Sequence, residues 1–161
     1  MAELTPREHL QPWLLDRLQD DKPAEEEEPR EARIWSVHKL KHSVVRDLAW
    51  LLNTGCLATT QDLRDYPQVQ HAVLNYGIQD LTGTTISSVN RTTLEDTLRQ
   101  AILDFEPRII PTSLRVRVIE TEPNNVTFEI EGELWTIHIP ERLYLKTILD
   151  LETGNAEILE G

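Results

Sequence analysis

The chain has 161 residues, 39% of them hydrophobic and 27% charged, which suits one domain with an ordinary core. Its formal charge of −12 and pI near 4.8 argue against nucleic acid and against a polybasic membrane-surface mode, both of which need a basic footprint. No apolar run approaches the ~20 residues of a membrane span. The start, MAELTPREHLQPWLL, lacks the order of a secretory signal, and the single Cys56 fits a reducing compartment.

The first predicted element lies in HLQPWLLDRLQDD, where Leu10, Trp13, Leu14 and Leu18 recur at helical spacing and Pro12 sits where a first turn tolerates it. Residues 1–20 therefore read as a short amphipathic helix. Its apolar stripe either docks in a partner's groove or folds back on the chain's own core. Residues 21–33 follow as an acidic linker, with Pro23, Pro29 and Glu25 to Glu28 offering nothing to bury.

The main domain spans 34–161. In SVHKLKHSVVRDLAWLLNTG, Val37, Leu40, Val44, Leu48, Leu51 and Leu52 trace one helical face, Ser36 is the expected N-cap, and Asn53-Thr54-Gly55 the stop. Beyond it, Pro67 breaks a turn, Val69, Val73 and Leu74 suggest a short helix, and Tyr76-Gly77 ends it. A second long helix fits TTLEDTLRQAILDF. Thr92 or Thr93 is its expected cap, Glu95 and Asp96 lie early for the helix dipole, and Leu94, Leu98, Ala101, Ile102 and Phe105 form its buried stripe. Glu106 precedes a proline and is biased out of the helical region, so the helix stops there.

The period then changes from 3.6 to 2. Leu114, Val116 and Val118 alternate with Arg115 and Arg117. Val126, Phe128 and Ile130 alternate with Thr127, Glu129 and Glu131, with Glu122-Pro123-Asn124-Asn125 as the turn between the two runs. WTIHIP reads as a further strand, with Trp135, Ile137 and Ile139 on one side and His138 on the other. ERLYLKTILDLETGNAEI reads as one long strand, the Thr153-Gly154-Asn155 turn and a stub. Helices followed by an antiparallel meander make an α+β domain. Arg115 and Arg117 set against Glu129 and Glu131 predict cross-strand charge pairs.

Catalytic chemistry is thin. His38 and His42 share a helical spacing but lack the further ligands zinc needs; no metal site and no cofactor is assigned. There is no nucleophile elbow, phosphate loop or dinucleotide fingerprint. Glu106, at a helix end beside Phe105, is the best single carboxylate for a glycosidase acid. Arg108 beside it favours the charged form, which is wrong for that role, so no catalytic residue is assigned. In an extended segment Glu106 and Arg108 share a side. With Pro107 fixing the backbone, they present a carboxylate and a guanidinium together, suited to locking a core or an interface.

The segments LLDRLQD (14–20), SVVRDLAWLLNT (43–54), VLNYGIQDLTG (73–83), AILDFEPRI (101–109), and FEIEGELW followed by LYLKTILDLETG together resemble the TssE family. These are baseplate components of bacterial type VI secretion systems, related to the lysozyme-like wedge proteins of contractile phage baseplates. The resemblance implies a non-enzymatic structural subunit, cytoplasmic, in a baseplate assembled at the inner membrane. It implies attachment to the wedge through Glu106, Pro107 and Arg108, and a partner-docking helix presenting Trp13, Leu14 and Leu18. The implied partners are the wedge subunits TssF, TssG and TssK and the sheath subunits TssB and TssC. The sheet is expected to resemble the sheath handshake domain and to template the first sheath ring by strand pairing, at an edge among residues 114–120 or 142–151. The lysozyme-like label of the phage relatives keeps peptidoglycan cleavage as the alternative.

Overall fold

The computed structural model describes residues 13–18, 36–82, 90–136 and 139–160. The acidic run 21–33, Gly83, Ile137 and His138 lie outside the described residues. Helices α1 (Leu14–Leu18), α2 (Val37–Leu52), α3 (Pro67–Gln70) and α4 (Arg91–Phe105) precede strands β1 (Arg115–Thr121), β2 (Asn125–Leu134), β3 (Glu141–Asp150) and β4 (Ala156–Glu160). The strands form an antiparallel sheet in the order β1-β2-β3-β4, the α+β meander expected from the change of period.

Helix α2 begins where Ser36 Oγ accepts the Lys39 N–H (3.2 Å) and ends at Asn53, whose N–H donates to Ala49 O. Its buried face, Leu40, Val44, Leu48, Leu51 and Leu52, is the expected stripe less Val37, which is exposed in the first turn, and has one polar intruder, Ser43. Helix α4 is capped by Asn90, not by Thr92 or Thr93: Asn90 Oδ1 accepts from both of their N–H groups, at 3.0 and 3.4 Å. The earlier start moves Glu95 out of the first turn, and its carboxylate instead accepts the Val118 N–H of β1 (2.8 Å). The expected short helix after Pro67 is two pieces, α3 and a 3₁₀ turn at Val73–Asn75. Val73 and Leu74 are exposed there rather than buried.

The inner face of the sheet carries Val116, Val118, Val126, Phe128, Ile130, Leu134, Leu143, Leu145 and Leu149, in one core with α2 and α4. On the outer face, Arg115 lies opposite Glu131 and Arg117 opposite Glu129, as their alternation predicted. Residues Glu122 and Asn125 close the β1–β2 hairpin by exchanging backbone hydrogen bonds of 2.8 and 3.3 Å. The described residues of WTIHIP, 135, 136, 139 and 140, are not in a strand. Leu134 pairs with Glu141, so β2 and β3 close their ladder there and 135–140 becomes the connection between them. Trp135 and Ile139 are exposed on it. The alternation suggested a strand, but Trp135 and Ile139 cover no sheet.

Of the two expected edges, 114–120 lies at one and 142–151 does not. Strand β3 is interior, paired with β4 over Leu145–Leu149. Strand β1 is an edge, but α4 covers it: besides the Glu95 contact, Arg99 Nε donates to Leu114 O (3.3 Å). The stub after Gly154, β4, is the other edge of the sheet. Ala156 exchanges both backbone groups with the Asn53 side chain (2.8 and 2.9 Å), so its polar groups point away from β3. By antiparallel alternation those of Ile158 and Glu160 point outward too.

Gly77 links the helical layer together. Its φ of 121° is unsuited to L side chains, and an added Cβ would lie 2.3 Å from Thr54 O. Ile78 meanwhile pairs with Thr54 and Cys56 through backbone bonds of 2.8 and 2.9 Å. Gly77→Ala is expected to destabilise the fold by ~2 kcal/mol or more in urea unfolding, because both conformation and space are lost. Thr147 acts in the opposite sense: it is wholly buried and its Oγ1 has no hydrogen-bond partner. Thr147→Val, of the same shape, should raise stability by about 1 kcal/mol, read as a higher urea midpoint.

Candidate functional site

The two residues around Pro107 meet at the end of α4. Glu106 caps the helix with φ −121°, and the chain then turns over Pro107 and Arg108, with Ile109 N–H donating to Glu106 O (3.3 Å), rather than running extended as expected; both side chains are turned inward by that turn. Glu106 is 3% exposed and Arg108 5%, while Pro107 between them faces solvent. Arg108 Nε and Nη2 donate to the two carboxylate oxygens of Glu106 at 2.6 and 2.5 Å, a bidentate pair. The Arg108 N–H also reaches Glu106 Oε1 (3.1 Å), which fixes the turn.

The backbone anchors the motif to the sheet. Arg108 O accepts the Trp135 N–H and Ile110 N–H donates to Glu133 O, each at 2.8 Å. Ile109 crosses β2 where Gly132 leaves room, since an added Cβ there would come within 3.0 Å of Ile109 Cγ2. The glycine in an otherwise regular strand thus marks a close crossing rather than a turn.

The remaining donors of Arg108 go to α2. Nη2 reaches Asp47 Oδ2 at 2.5 Å and Nη1 reaches Ser43 Oγ at 2.8 Å. Arg46, one turn along from Ser43, donates to Asp47 Oδ1 through Nε (2.8 Å) and Nη2 (2.7 Å). The third wall is α1. Asp16 Oδ1 accepts from Ser43 Oγ and from Arg46 Nη2, both at 2.7 Å, and its Oδ2 lies 3.9 Å from Arg108 Nη1. The Trp13 ring covers the Arg108 guanidinium at 5.8 Å.

Burial alone would make Arg108 easier to deprotonate. Its hydrogen bonds and charge contacts with Glu106 and Asp47 outweigh that, and its pKa is raised above the usual arginine value. Burial, followed by the charges of Asp47 and Glu106, pushes the Tyr76 phenol upward, with its ring edge-on to Phe105 at 5.2 Å between centroids.

Of the residues singled out in the sequence, the structure brings Glu106, Arg108 and Trp13 together and leaves Pro107 on the surface. Leu14 and Leu18 are 70% and 73% exposed, so the apolar stripe of α1 faces away from the core and the helix docks by its acidic side. His38 and His42 are exposed on α2. Four participants were not foreseen: Asp16, Ser43, Arg46 and Asp47. The available signal was Ser43, a polar residue inside the apolar stripe of α2, with Asp47 one turn on. A cavity of about 620 Å³ lies beside α4, lined by Cys56, His71, Asn75, Gln100 and Asp104 among others; Glu106 and Arg108 do not line it.

The family model described as baseplate wedge protein gp25 matches residues 38–138, well over half the chain and the span that holds α2, Glu106-Pro107-Arg108 and β2. The chain belongs to this baseplate wedge family. Its coarse role is accordingly that of a structural baseplate component of a contractile system. No curated protein and no solved structure matches it. Among the described residues no helix of this wedge-family chain is long and apolar enough to cross a membrane.

Two outcomes follow from the geometry. Arg108→Ala strands the buried Glu106 without its cation, while Asp47 keeps Arg46, and should cost ~3–5 kcal/mol in equilibrium unfolding. For Tyr76, a folded pKa above the unfolded value of about 10 means that the folded state holds the proton more tightly. That contribution is whole below about pH 10 and is lost as pH rises through the folded value. Urea midpoints should fall as pH is raised past about 10, and Tyr76→Phe should flatten the fall.

Proposed function

We propose that the chain is a non-enzymatic subunit that attaches to the other baseplate wedge subunits around Glu106-Pro107-Arg108 and seeds sheath assembly through β4. In this reading it acts in the cytoplasm, in a baseplate assembled at the inner membrane. The observation that carries the proposal is the arrangement at the end of α4. A buried ion cluster fixes α2, α4 and the sheet, while the neighbouring Leu14, Leu18 and Pro107 are turned outward and Trp13, its ring over Arg108, stays half-exposed beside them. An aromatic residue and large aliphatic residues on a rigid base are what the centre of a protein interface requires. Glu106 and Arg108 support that surface from below and come into direct contact only where a partner opens the site.

Sheath seeding rests on the edge of β4, where the outward groups of Ile158 and Glu160 can accept a strand from a sheath subunit. The glycosidase alternative finds little support at Glu106, whose two oxygens are engaged by Arg108 at 2.6 and 2.5 Å.

The wedge part of the proposal is tested by retention of purified wedge subunits on the immobilised chain. Leu14→Asp with Leu18→Asp changes only exposed side chains, so the circular dichroism should be unchanged while retention falls at least ~10-fold. Retention at the wild-type level would remove α1 from the interface. For the sheath part, Ile158→Pro deletes an outward donor and no ladder bond. It should abolish capture of sheath subunits by a chain that still folds, whereas undiminished capture would exclude β4.

A further inference from the structure

We propose that Ser43, Arg46 and Arg108 form a receptor for a short helix carrying an aromatic residue and, three residues on, a carboxylate, that α1 is its exchangeable occupant in cis, and that a partner helix of the same chemistry takes its place. This rests on the reading that the wedge attaches here and names what the site recognises: the partner first meets the outward Leu14 and Leu18 face of α1 and then takes its place on the arginines.

The charge balance comes first. Among the described residues of the cluster, Arg46 and Arg108 are already matched by Asp47 and Glu106. Asp16 is the surplus carboxylate. Its side chain is 2% exposed, yet Oδ2 has no hydrogen-bond partner and stands 3.9 Å from Arg108 Nη1. A buried carboxylate oxygen left unpaired opposes docking, so α1 is the least secure of the elements around Arg108. Removing it leaves each arginine with its carboxylates, and Arg108 with Ser43.

Recognition is nonetheless specific. Oδ1 is held by a hydroxyl and a guanidinium, and the Trp13 ring covers Arg108, so aromatic and acid are read together at a spacing of one helical turn. The apolar residues of α1 contribute little to holding it, because Leu14 and Leu18 face outward. A helix held, among the described residues, by one acid and one ring, on a site whose arginines keep their carboxylates without it, is suited to exchange. Tethering gives α1 an effective concentration in the millimolar range, which a free helix must overcome and an assembled partner can.

The test uses the full chain and a fluorescein-labelled peptide copying residues 10–20, followed by anisotropy. Asp16→Lys in the chain sets a cation against Arg46 and Arg108 and vacates the site; Trp13→Ala is a second, milder way to loosen it. The Asp16→Lys chain is expected to bind the peptide at least tenfold more tightly than the wild-type chain, with Trp13→Ala in between. A peptide with its aspartate changed to asparagine, or its tryptophan to alanine, should lose at least tenfold. In the wild-type chain, excess unlabelled peptide should speed hydrogen exchange at residues 14–18 alone. Equal binding by the wild-type and vacated chains, indifference to the peptide's aspartate, or unfolding of both variants would overturn the proposal, the last by making α1 a fixed part of the core. If exchange fails while wedge subunits are still retained, cis occupancy alone falls. If exchange holds and wedge subunits are not retained, the wedge reading falls instead.

Discussion

A single buried guanidinium ties the helical layer to the sheet. Arg108 reaches Glu106 on its own segment, Ser43 and Asp47 on α2, and through its carbonyl the end of β2. Arginine suits this position because its planar fork offers several fixed donors and stays charged when desolvated. Desolvating that charge is costly, and the offset comes only from having every partner in place. Hence the proline: by ending α4 at Phe105 and setting the backbone of the next residues, it aims Glu106 and Arg108 at the same partners.

The sheet shows how the same fold treats its two edges differently. Side chains of α4 engage β1, with Glu95 and Arg99 occupying a backbone donor and acceptor that a foreign strand would otherwise seek. At β4 only Ala156 is occupied in this way, by Asn53, the residue that also caps α2. The residues beyond it turn their backbone groups outward by the alternation of the ladder. The acidity of the chain adds solubility to a molecule that carries an edge strand.

The surface around the cluster inverts the usual logic of an amphipathic helix. Apolar burial normally decides how a helix lies, since each large side chain removed from water contributes roughly 1.5–3 kcal/mol. In α1 the acidic side is inside and the leucines are outside, because Asp16 answers two arginines while the core beneath is already closed by Leu40, Val44 and Leu48. Left alone, such leucines are an unfavourable exposure. In an assembly subunit they are the part of the surface with most to gain from a partner.

What the sequence determined is what depends on neighbours along the chain. The stripe of α2 and its Ser36 cap, the halt of α4 before Pro107, and the alternation of β1 and β2 all follow from local periodicity and backbone restriction, whereas Glu106 and Arg108 meet through a turn and not through an extended segment. The tertiary structure decided matters whose partners are remote. Asn90 rather than a threonine caps α4, and Glu95 serves a strand instead of a helix dipole. The described residues of the alternating WTIHIP run are not in a strand, and the stub at the end of the chain is an edge of the sheet. Asp16, Ser43 and Asp47 acquire meaning only when Arg108 is placed among them, with Ser43 and Arg108 65 positions apart in the chain. Periodicity records which side of an element is buried, but a buried polar contact is chosen by whichever opposite charge the fold brings within about 3 Å.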